Sequence, residues 1–168
     1  MIPGATDSVS SSVSGSQDTM NRKKILVVDD NVLILKTVSM KLTANGYDVV
    51  TAEDGSGAVS AVRKEKPDLI LLDLSFPPDA AHGGGVAWDG FVIMNWLGRL
   101  DETKNIPIVV ITGSDPVEYK ARALAAGAIS FFHKPINNDD LLTVLREALA
   151  KGAVEPQPTS GSSPHAAA

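Results

Sequence analysis

Five polar residues of the types that bind divalent cations and phosphoryl groups follow four short apolar runs in this sequence of 168 residues. They are Asp29, Asp30, Asp73, Thr112 and Lys134. Three carboxylates held close together repel one another unless a cation enters. Mg²⁺ suits such a site because it keeps several waters and takes only a few carboxylates, and Mn²⁺ is an alternative ion. A carboxylate in this setting can also accept a phosphoryl group, whose oxygens an ammonium and a hydroxyl would stabilise.

These residues would meet only if the apolar runs form neighbouring parallel strands. The runs occupy residues 25–28, 69–72 and 108–111, with weaker ones at 47–50 and 129–132. Continuous apolarity in such short runs is typical of strands that are covered on both faces. Open parallel sheets bind ligands at the carboxyl ends of their strands. We therefore expect the five polar residues to converge on one edge of a sheet.

Helical patterns alternate with the strands. Apolar residues step by three and four in three segments: Leu35, Val38 and Leu42; Ile93, Trp96, Leu97 and Leu100; and Leu141, Leu142, Leu145 and Leu149. The Asn45-Gly46 pair is predicted to end the first helix. Asn138 is predicted to cap the last helix, with Asp139 and Asp140 in its first turn. Five strands alternating with five helices predict an α/β fold with a parallel sheet and right-handed crossovers.

The composition is that of one ordinary soluble domain, with 43% hydrophobic and 21% charged residues and a net charge of −5. Residues 23–151 are predicted to form this domain, and the Ser-, Gly- and Pro-rich tails at 1–22 and 152–168 to be disordered. The acidic balance argues against direct nucleic-acid binding. The lack of cysteine excludes disulfides and thiolate zinc sites. No stretch approaches the roughly 20 apolar residues of a membrane span, so a cytoplasmic location is expected.

The pattern Asp29-Asp30, Asp73, Thr112-Gly113 and Lys134-Pro135 resembles the receiver domain of two-component response regulators. The resemblance covers nearly all of the predicted domain. It implies a flavodoxin-like, doubly wound sheet of five parallel strands in the order 2-1-3-4-5, with five helices. It also implies Mg²⁺-dependent phosphorylation of Asp73 by a histidine kinase or a histidine phosphotransfer protein.

The resemblance further implies a role for each residue of the site. The metal ligands would be Asp29, Asp30, Asp73 and the backbone carbonyl of Ser75. Thr112 and Lys134 would bind the phosphoryl oxygens, and the Lys134-Pro135 peptide bond would be cis. Phosphorylation would draw Thr112 toward the phosphoryl group and turn Phe131 inward. The face made by the fourth helix, fifth strand and fifth helix would then change its affinity for a downstream protein.

Two features depart from the family pattern. Receivers commonly place an Asp-Gly pair a few residues after a Pro, but here Pro77 and Asp89-Gly90 are separated by an extra stretch. Three roles are open for this insertion at 77–89: it shields the phosphoryl group, restricts partner access, or is a surface loop of low entropic cost. In addition, Ser75 and Ser114 occupy positions that in the family tune access of water to the phosphoryl group. Both are small and neutral, so little steric protection is expected.

The leading expectation is a stand-alone receiver that catalyses only its own phosphorylation and dephosphorylation. No DNA-binding segment follows Lys151, so its output is expected to pass through another protein. Three roles are open for such a receiver: a diffusible regulator, an intermediate in a phosphorelay, or a phosphate sink. It is expected to be a monomer or a weak dimer, because the fifth strand lacks the acidic residues of receivers that dimerise through this face.

Three other functions stay open at this point. An aspartate-nucleophile phosphatase would generally have a second Asp where Ser75 stands. A phosphorylation-independent scaffold would not need the complete set of acidic, hydroxyl and lysine residues. A flavodoxin-like electron carrier would have a Ser/Thr-rich phosphate loop after the first strand, where Asp29-Asp30-Asn31 stands instead.

Overall fold

The computed structural model describes residues 22–75 and 89–151, in which five strands alternate with five helices as predicted. The strands are β1 (Lys24–Val28), β2 (Asp48–Ala52), β3 (Leu69–Leu72), β4 (Ile108–Thr112) and β5 (Ser130–His133). The helices are α1 (Val32–Ala44), α2 (Gly55–Glu65), α3 (Gly90–Arg99), α4 (Pro116–Ala125) and α5 (Asn138–Lys151). The predicted tails, apart from Arg22, and nearly all of the insertion lie outside the described residues. Within the described ranges, no helix combines the length and apolarity needed to cross a bilayer.

The five strands form one parallel sheet in the order β2-β1-β3-β4-β5, which confirms the predicted topology. Every residue of β3 and β4 is buried, as expected for strands covered on both faces. The chain crosses from one side of β1 to the other between β2 and β3, so the strand order reverses beside β1 and β3. The residues that follow these two strands therefore lie where open α/β sheets bind ligands.

The sheet separates two apolar layers because successive strand residues point to opposite faces. Leu26, Ile70 and Val110 face a layer built by α2, α3 and α4. Ile25, Leu69 and Val109 face the other layer, built by α1 and α5. The helix residues in the second layer are those of the predicted stripes: Leu35 and Leu42 of α1, and Leu141, Leu142, Leu145 and Leu149 of α5. Both layers rest on the same central strands, which holds the strand ends in a fixed arrangement.

Local signals mark both ends of α1 and the start of α5, and the cap at Asn31 was not among those predicted from the sequence. The Asn31 side chain caps α1 by accepting from the backbone N–H of Leu33 at 3.0 Å. Gly46, with a φ of +87°, follows the end of α1 as expected for the Asn45-Gly46 pair. The prediction that Asn138 caps α5 was wrong by one residue.

The side chain of Asn137 caps α5 instead, accepting from the backbone N–H of Asp139 at 3.0 Å. Asn138 is the first helical residue, and Asp139 and Asp140 lie in the first turn as predicted. Either asparagine has the chemistry of a cap. Asn137 is the last residue before the helical backbone begins, so its side chain is the one placed to accept from the free N–H of Asp139.

Candidate functional site

The carboxyl ends of four strands bring the five predicted site residues to one edge of the sheet. Asp29 follows β1, Asp73 follows β3, Thr112 ends β4 and Lys134 follows β5. The Nζ of Lys134 lies 2.6 Å from Oδ2 of Asp29 and 2.8 Å from Oδ2 of Asp73. Asp29 lies 105 positions from Lys134 and Asp73 lies 61 positions from it, yet both carboxylates share its ammonium group. The predicted convergence is present in the structure.

Asp29, Asp30 and Asp73 form a cluster of carboxylates at this edge. One oxygen of each lies within 4.8 Å of those of the others, and this is the group of potential metal ligands found among the described residues. Asp29 and Asp73 are buried, whereas Asp30 is exposed. A compact set of carboxylate oxygens with one side open to water fits a hard divalent cation that keeps part of its hydration shell.

The site holds more negative than positive charge, and this affects the pKa values of Asp29 and Lys134. Burial raises the pKa of Asp29, and the negative charge of Asp73 adds to this effect. The hydrogen bonds from Lys134 and from the backbone N–H of Asn31 stabilise the charged form but do not overcome burial. For Lys134, burial opposes the charge, yet its hydrogen bonds with Asp29 and Asp73 prevail and raise its pKa. The ammonium therefore stays charged at the site, beside carboxylates whose negative charge it offsets only in part.

Asp73 is held by its own loop as well as by Lys134. Its backbone N–H donates to the carbonyl of Val28 at 2.9 Å, and its Oδ1 accepts from the N–H of Ser75 at 2.8 Å. The start of α3 packs directly against this loop. A Cβ at Gly90 would lie 2.8 Å from Cα of Leu74 and 2.9 Å from the carbonyl oxygen of Asp73. Only glycine fits here, so α3 supports the backbone of the acidic loop.

Thr112, Ser75 and Ser114 form a connected chain of hydroxyl groups. The Oγ of Ser75 lies 2.5 Å from Oγ1 of Thr112 and 2.7 Å from Oγ of Ser114. The N–H of Ser114 also donates to Oγ1 of Thr112 at 3.2 Å. The sequence interpretation treated the two serines as small neutral positions and missed these contacts. The available signal was that each serine follows a site residue by two positions, on loops after the adjacent strands β3 and β4.

Phe131 and Pro135 lie where the resemblance implies. Phe131 is partly buried in β5, opposite Val110 of β4, and packs against the layer built by α2, α3 and α4. The Lys134-Pro135 peptide bond is cis. The switch role of Phe131 stays a prediction.

An aromatic cluster that sequence reasoning missed joins α3 to α4. The ring of Phe91 stacks on that of Tyr119, with 5.9 Å between centroids. The guanidinium of Arg122 lies 3.8 Å from the centroid of the Phe91 ring, within cation-π distance. Phe91 immediately follows Gly90, so the same helix start contacts both the acidic loop and α4. No local pattern reveals this cluster, since its members come from two helices separated by a strand.

Comparisons with known proteins agree with this geometry. A family model for the response regulator receiver domain matches residues 25–146. The chain is 31% identical, over 130 residues and 77% of its length, to the probable transcriptional regulatory protein TcrX of Mycobacterium tuberculosis. It spans about half (51%) of the length of that relative.

Two solved structures show the same fold over most of this chain. A CheY-like receiver domain protein from Methanospirillum hungatei has a TM-score of 0.68 at 26% identity, covering 79% of this chain and 97% of its own. The chemotaxis protein CheY4 of Vibrio cholerae has a TM-score of 0.66 at 30% identity, covering 76% of this chain and 99% of its own. In both cases the similarity spans nearly the entire solved chain.

Proposed function

The chain belongs to the response regulator receiver domain family, and from this premise we propose that it is a signalling switch in which Asp73 accepts a phosphoryl group. The observation that carries the proposal is the contact of Lys134 with both Asp29 and Asp73 at the carboxyl edge of the sheet. Phosphoryl transfer depends mainly on positioning and charge stabilisation. This edge supplies a fixed carboxylate, an adjacent ammonium and a cluster of oxygen ligands.

In the proposed reaction, an oxygen of Asp73 attacks the phosphorus atom of a phosphohistidine. The new O–P bond forms as the P–N bond breaks, and the electron pair stays on the imidazole nitrogen, which takes up a proton. Lys134 neutralises a phosphoryl oxygen, and the hydroxyl of Thr112 donates a hydrogen bond to another. The backbone N–H of Ser75, already bonded to Asp73, keeps the acceptor carboxylate oriented. Water later hydrolyses the acyl phosphate, which releases inorganic phosphate and restores the carboxylate.

We propose that Asp29, Asp30, Asp73 and the backbone carbonyl of Ser75 hold Mg²⁺, or Mn²⁺ in its place. A bound divalent ion would neutralise charge on the transferring phosphoryl group. The close spacing of the three carboxylates supports this assignment. The burial of Asp29 and Asp73 supports it as well, because two buried carboxylates are costly without sufficient positive charge.

The surface of α1 supports docking of a histidine kinase or a phosphotransfer protein beside the acidic edge. Val32, Leu33 and Met40 are apolar yet exposed, at 59%, 71% and 66%. The first two lie only two to four residues after Asp29 and Asp30. Leu33 and Met40 are seven residues apart on α1 and so lie on the same side of the helix, which favours an apolar interaction surface there. Output would follow through α4, β5 and α5 as Phe131 turns inward, altering the affinity for a downstream protein.

A stand-alone role and a monomeric or weakly dimeric state stay predictions. A tight dimer in analytical ultracentrifugation, independent of phosphorylation, would contradict the second. Turnover of external phosphate esters is not expected, because Ser75 stands where such phosphatases generally have a second Asp.

The test is the intact mass of the protein after incubation with acetyl phosphate and Mg²⁺. We expect one phosphoryl adduct on the wild type and none on Asp73→Asn or in EDTA. Asp68→Asn is a matched control, since Asp68 lies just before the same strand at the opposite edge of the sheet. This variant should be labelled normally. An adduct that persists in Asp73→Asn would refute the assignment, as would a folded wild type that takes neither the adduct nor beryllofluoride.

A further inference from the structure

The chain of hydroxyl groups formed by Thr112, Ser75 and Ser114 is the basis for an inference about how phosphorylation is opposed. This opposing role of Ser75 is called the brake. We propose that Ser75 is a positioning residue that holds the Thr112 hydroxyl in the unphosphorylated arrangement and competes with the phosphoryl group for it. This inference rests on the proposed function, because the competing acceptor is the phosphoryl group on Asp73. It concerns the balance between two states of the site and does not depend on how water reaches the phosphoryl bond.

The direction of the hydrogen bonds follows from counting donors. Thr112 is completely buried, so its hydroxyl proton needs an acceptor within the protein. The N–H of Ser114 already donates to Oγ1 of Thr112. Within the described ranges, the one side-chain oxygen bonded to Oγ1 of Thr112 is Oγ of Ser75. Thr112 therefore donates to Ser75.

The next bond in the chain joins Oγ of Ser75 to Oγ of Ser114, 2.7 Å away. Either hydroxyl can donate in this bond, because Ser75 keeps a proton and a free lone pair when it accepts from Thr112. Ser114 is half-buried and Ser75 is exposed, so the chain runs from the buried Thr112 out to solvent. The Thr112 hydroxyl is hydrogen-bonded to Ser75 and the outer end of the chain can bond with water, so the arrangement is stable without a ligand.

Competition follows because the Thr112 hydroxyl has only one proton to donate. To bind a phosphoryl oxygen it must first leave Ser75. The backbone N–H of Ser75 is bonded to Oδ1 of Asp73, so the brake is carried by the same loop as the acceptor. Phosphorylation of the Asp73 carboxylate would therefore alter the position of Ser75. Ser75 is exposed, so its hydroxyl is not required to fill space in the core.

The first test compares the affinity of Ser75 variants for beryllofluoride in the presence of Mg²⁺. A net hydrogen bond corresponds to roughly a three- to tenfold change in an equilibrium constant. We expect Ser75→Ala to bind beryllofluoride more tightly by about that factor. Ser75→Thr keeps the hydroxyl and should restore wild-type affinity. Ser114→Ala removes only the solvent end of the chain, where water can substitute, and should stay near wild type.

The second test uses the unmodified protein in EDTA and needs no phosphoryl chemistry. If Ser75 accepts from Thr112, Ser75→Ala should lower the urea midpoint in the wild-type background. In a Thr112→Val background, the same substitution should have a smaller effect, because the bond with Thr112 is already absent and only the contact with Ser114 is lost. Equal effects in both backgrounds would show that the bond is absent and would overturn the inference.

The two tests separate failure of the inference from failure of the proposed function. If the wild type binds beryllofluoride through Asp73 but Ser75→Ala binds it no more tightly, the brake is refuted and the proposed function stands. If the folded wild type takes neither beryllofluoride nor the phosphoryl adduct, the proposed function fails and the brake fails with it.

Discussion

Asp29 and Asp73 are buried carboxylates that share a single ammonium, so the edge of the sheet carries excess negative charge before any metal ion arrives. Burying a charge is costly unless it is paired and hydrogen-bonded. The raised pKa of Asp29 shows that burial outweighs the pairing at that residue. The buried negative charge that attracts a cation therefore also lowers the stability of the fold, as is common at functional sites.

We predict that Asp29→Asn increases the free energy of unfolding at neutral pH in EDTA. The folded-state pKa of Asp29 lies above its ordinary value of 3.8, so the folded state binds its proton more tightly. The free energy of unfolding therefore falls as pH rises from the pKa of Asp29 in the unfolded state through its pKa in the folded state. Asn does not ionise, so the variant does not lose this stability. Urea unfolding across a pH series should show the gain at pH 7 and its disappearance in acid. The exposed neighbour provides the control: Asp30→Asn should change stability little, and an equal gain there would contradict the burial argument.

A second residue-scale prediction concerns Lys134, the ammonium shared by both buried carboxylates. Lys134→Met leaves those carboxylates without their partner, and breaking a buried ion pair in this way costs about 3–5 kcal/mol. Because the Lys134 side chain is 20% exposed, we expect the lower end of that range. Mg²⁺ should restore much of the stability, since it supplies positive charge to the same oxygens. Urea unfolding with and without Mg²⁺ measures this, and a loss that Mg²⁺ does not reduce would argue against a metal site.

At the scale of elements, α3 is the structural support of the acidic loop. It begins with the Asp89 side chain accepting from the N–H of Val92 at 2.8 Å, and its first residue touches the backbone of Leu74 and Asp73. Its next residue, Phe91, contacts Tyr119 and Arg122 of α4. A helix start that contacts both segments provides a physical connection between the acceptor loop and one element of the output face.

We predict that Gly90→Ala destabilises the protein by about 1–3 kcal/mol, as expected for overpacking a close contact. The added Cβ would lie 2.8 Å from Cα of Leu74 and 2.9 Å from the carbonyl oxygen of Asp73. The backbone of the acidic loop must then shift, so labelling by acetyl phosphate should slow as well.

Gly98→Ala is the matched control on the same helix. A Cβ there meets nothing within 4 Å, and replacing a helical Gly by Ala stabilises by roughly 0.5–1 kcal/mol. Thermal or urea unfolding of the two variants should therefore move in opposite directions. Loss of stability in both would mean that α3 tolerates no change and that close packing at Gly90 is not the cause.

At the scale of the whole molecule, the two apolar layers depend on one another because they share a single sheet. Leu145 of α5 lies in one layer and Ile93 of α3 in the other, and each is almost completely buried. Each layer packs against residues of the same strands, β1, β3 and β4. Loss of one layer would expose one face of those strands to water, so neither layer should persist alone.

We therefore predict that the protein unfolds in a single cooperative transition and that a substitution in either layer lowers its stability. Leu145→Ala and Ile93→Ala should each lower the free energy of unfolding by about 2–5 kcal/mol, the usual cost of a large-to-small change in a core. Far-UV circular dichroism and tryptophan fluorescence should report the same urea midpoint in each variant. Separate midpoints for the two probes would indicate that the layers unfold independently.

Much of the fold and of the site could be predicted from the sequence because parallel α/β architecture leaves few choices. Short, continuous apolar runs identified buried strands, and strict alternation with helices implied a parallel sheet. The carboxyl ends of such strands meet at one edge, so Asp29, Asp73 and Lys134 had to be neighbours. Residue type and order along the chain carried this information without any coordinates.

Tertiary structure alone decided which atoms at that edge form bonds. The donation from Thr112 to Ser75, the close approach of Gly90 to Leu74 and the stacking of Phe91 depend on ångström-scale positions of segments distant in sequence. The shift of the α5 cap from Asn138 to Asn137 has a similar origin. Local preference is nearly equal for the two asparagines, and the folded backbone places Asn137, at the last position before α5, to accept from Asp139. Sequence patterns encode burial and residue type, whereas the direction of a hydrogen bond depends on where the whole fold places both partners.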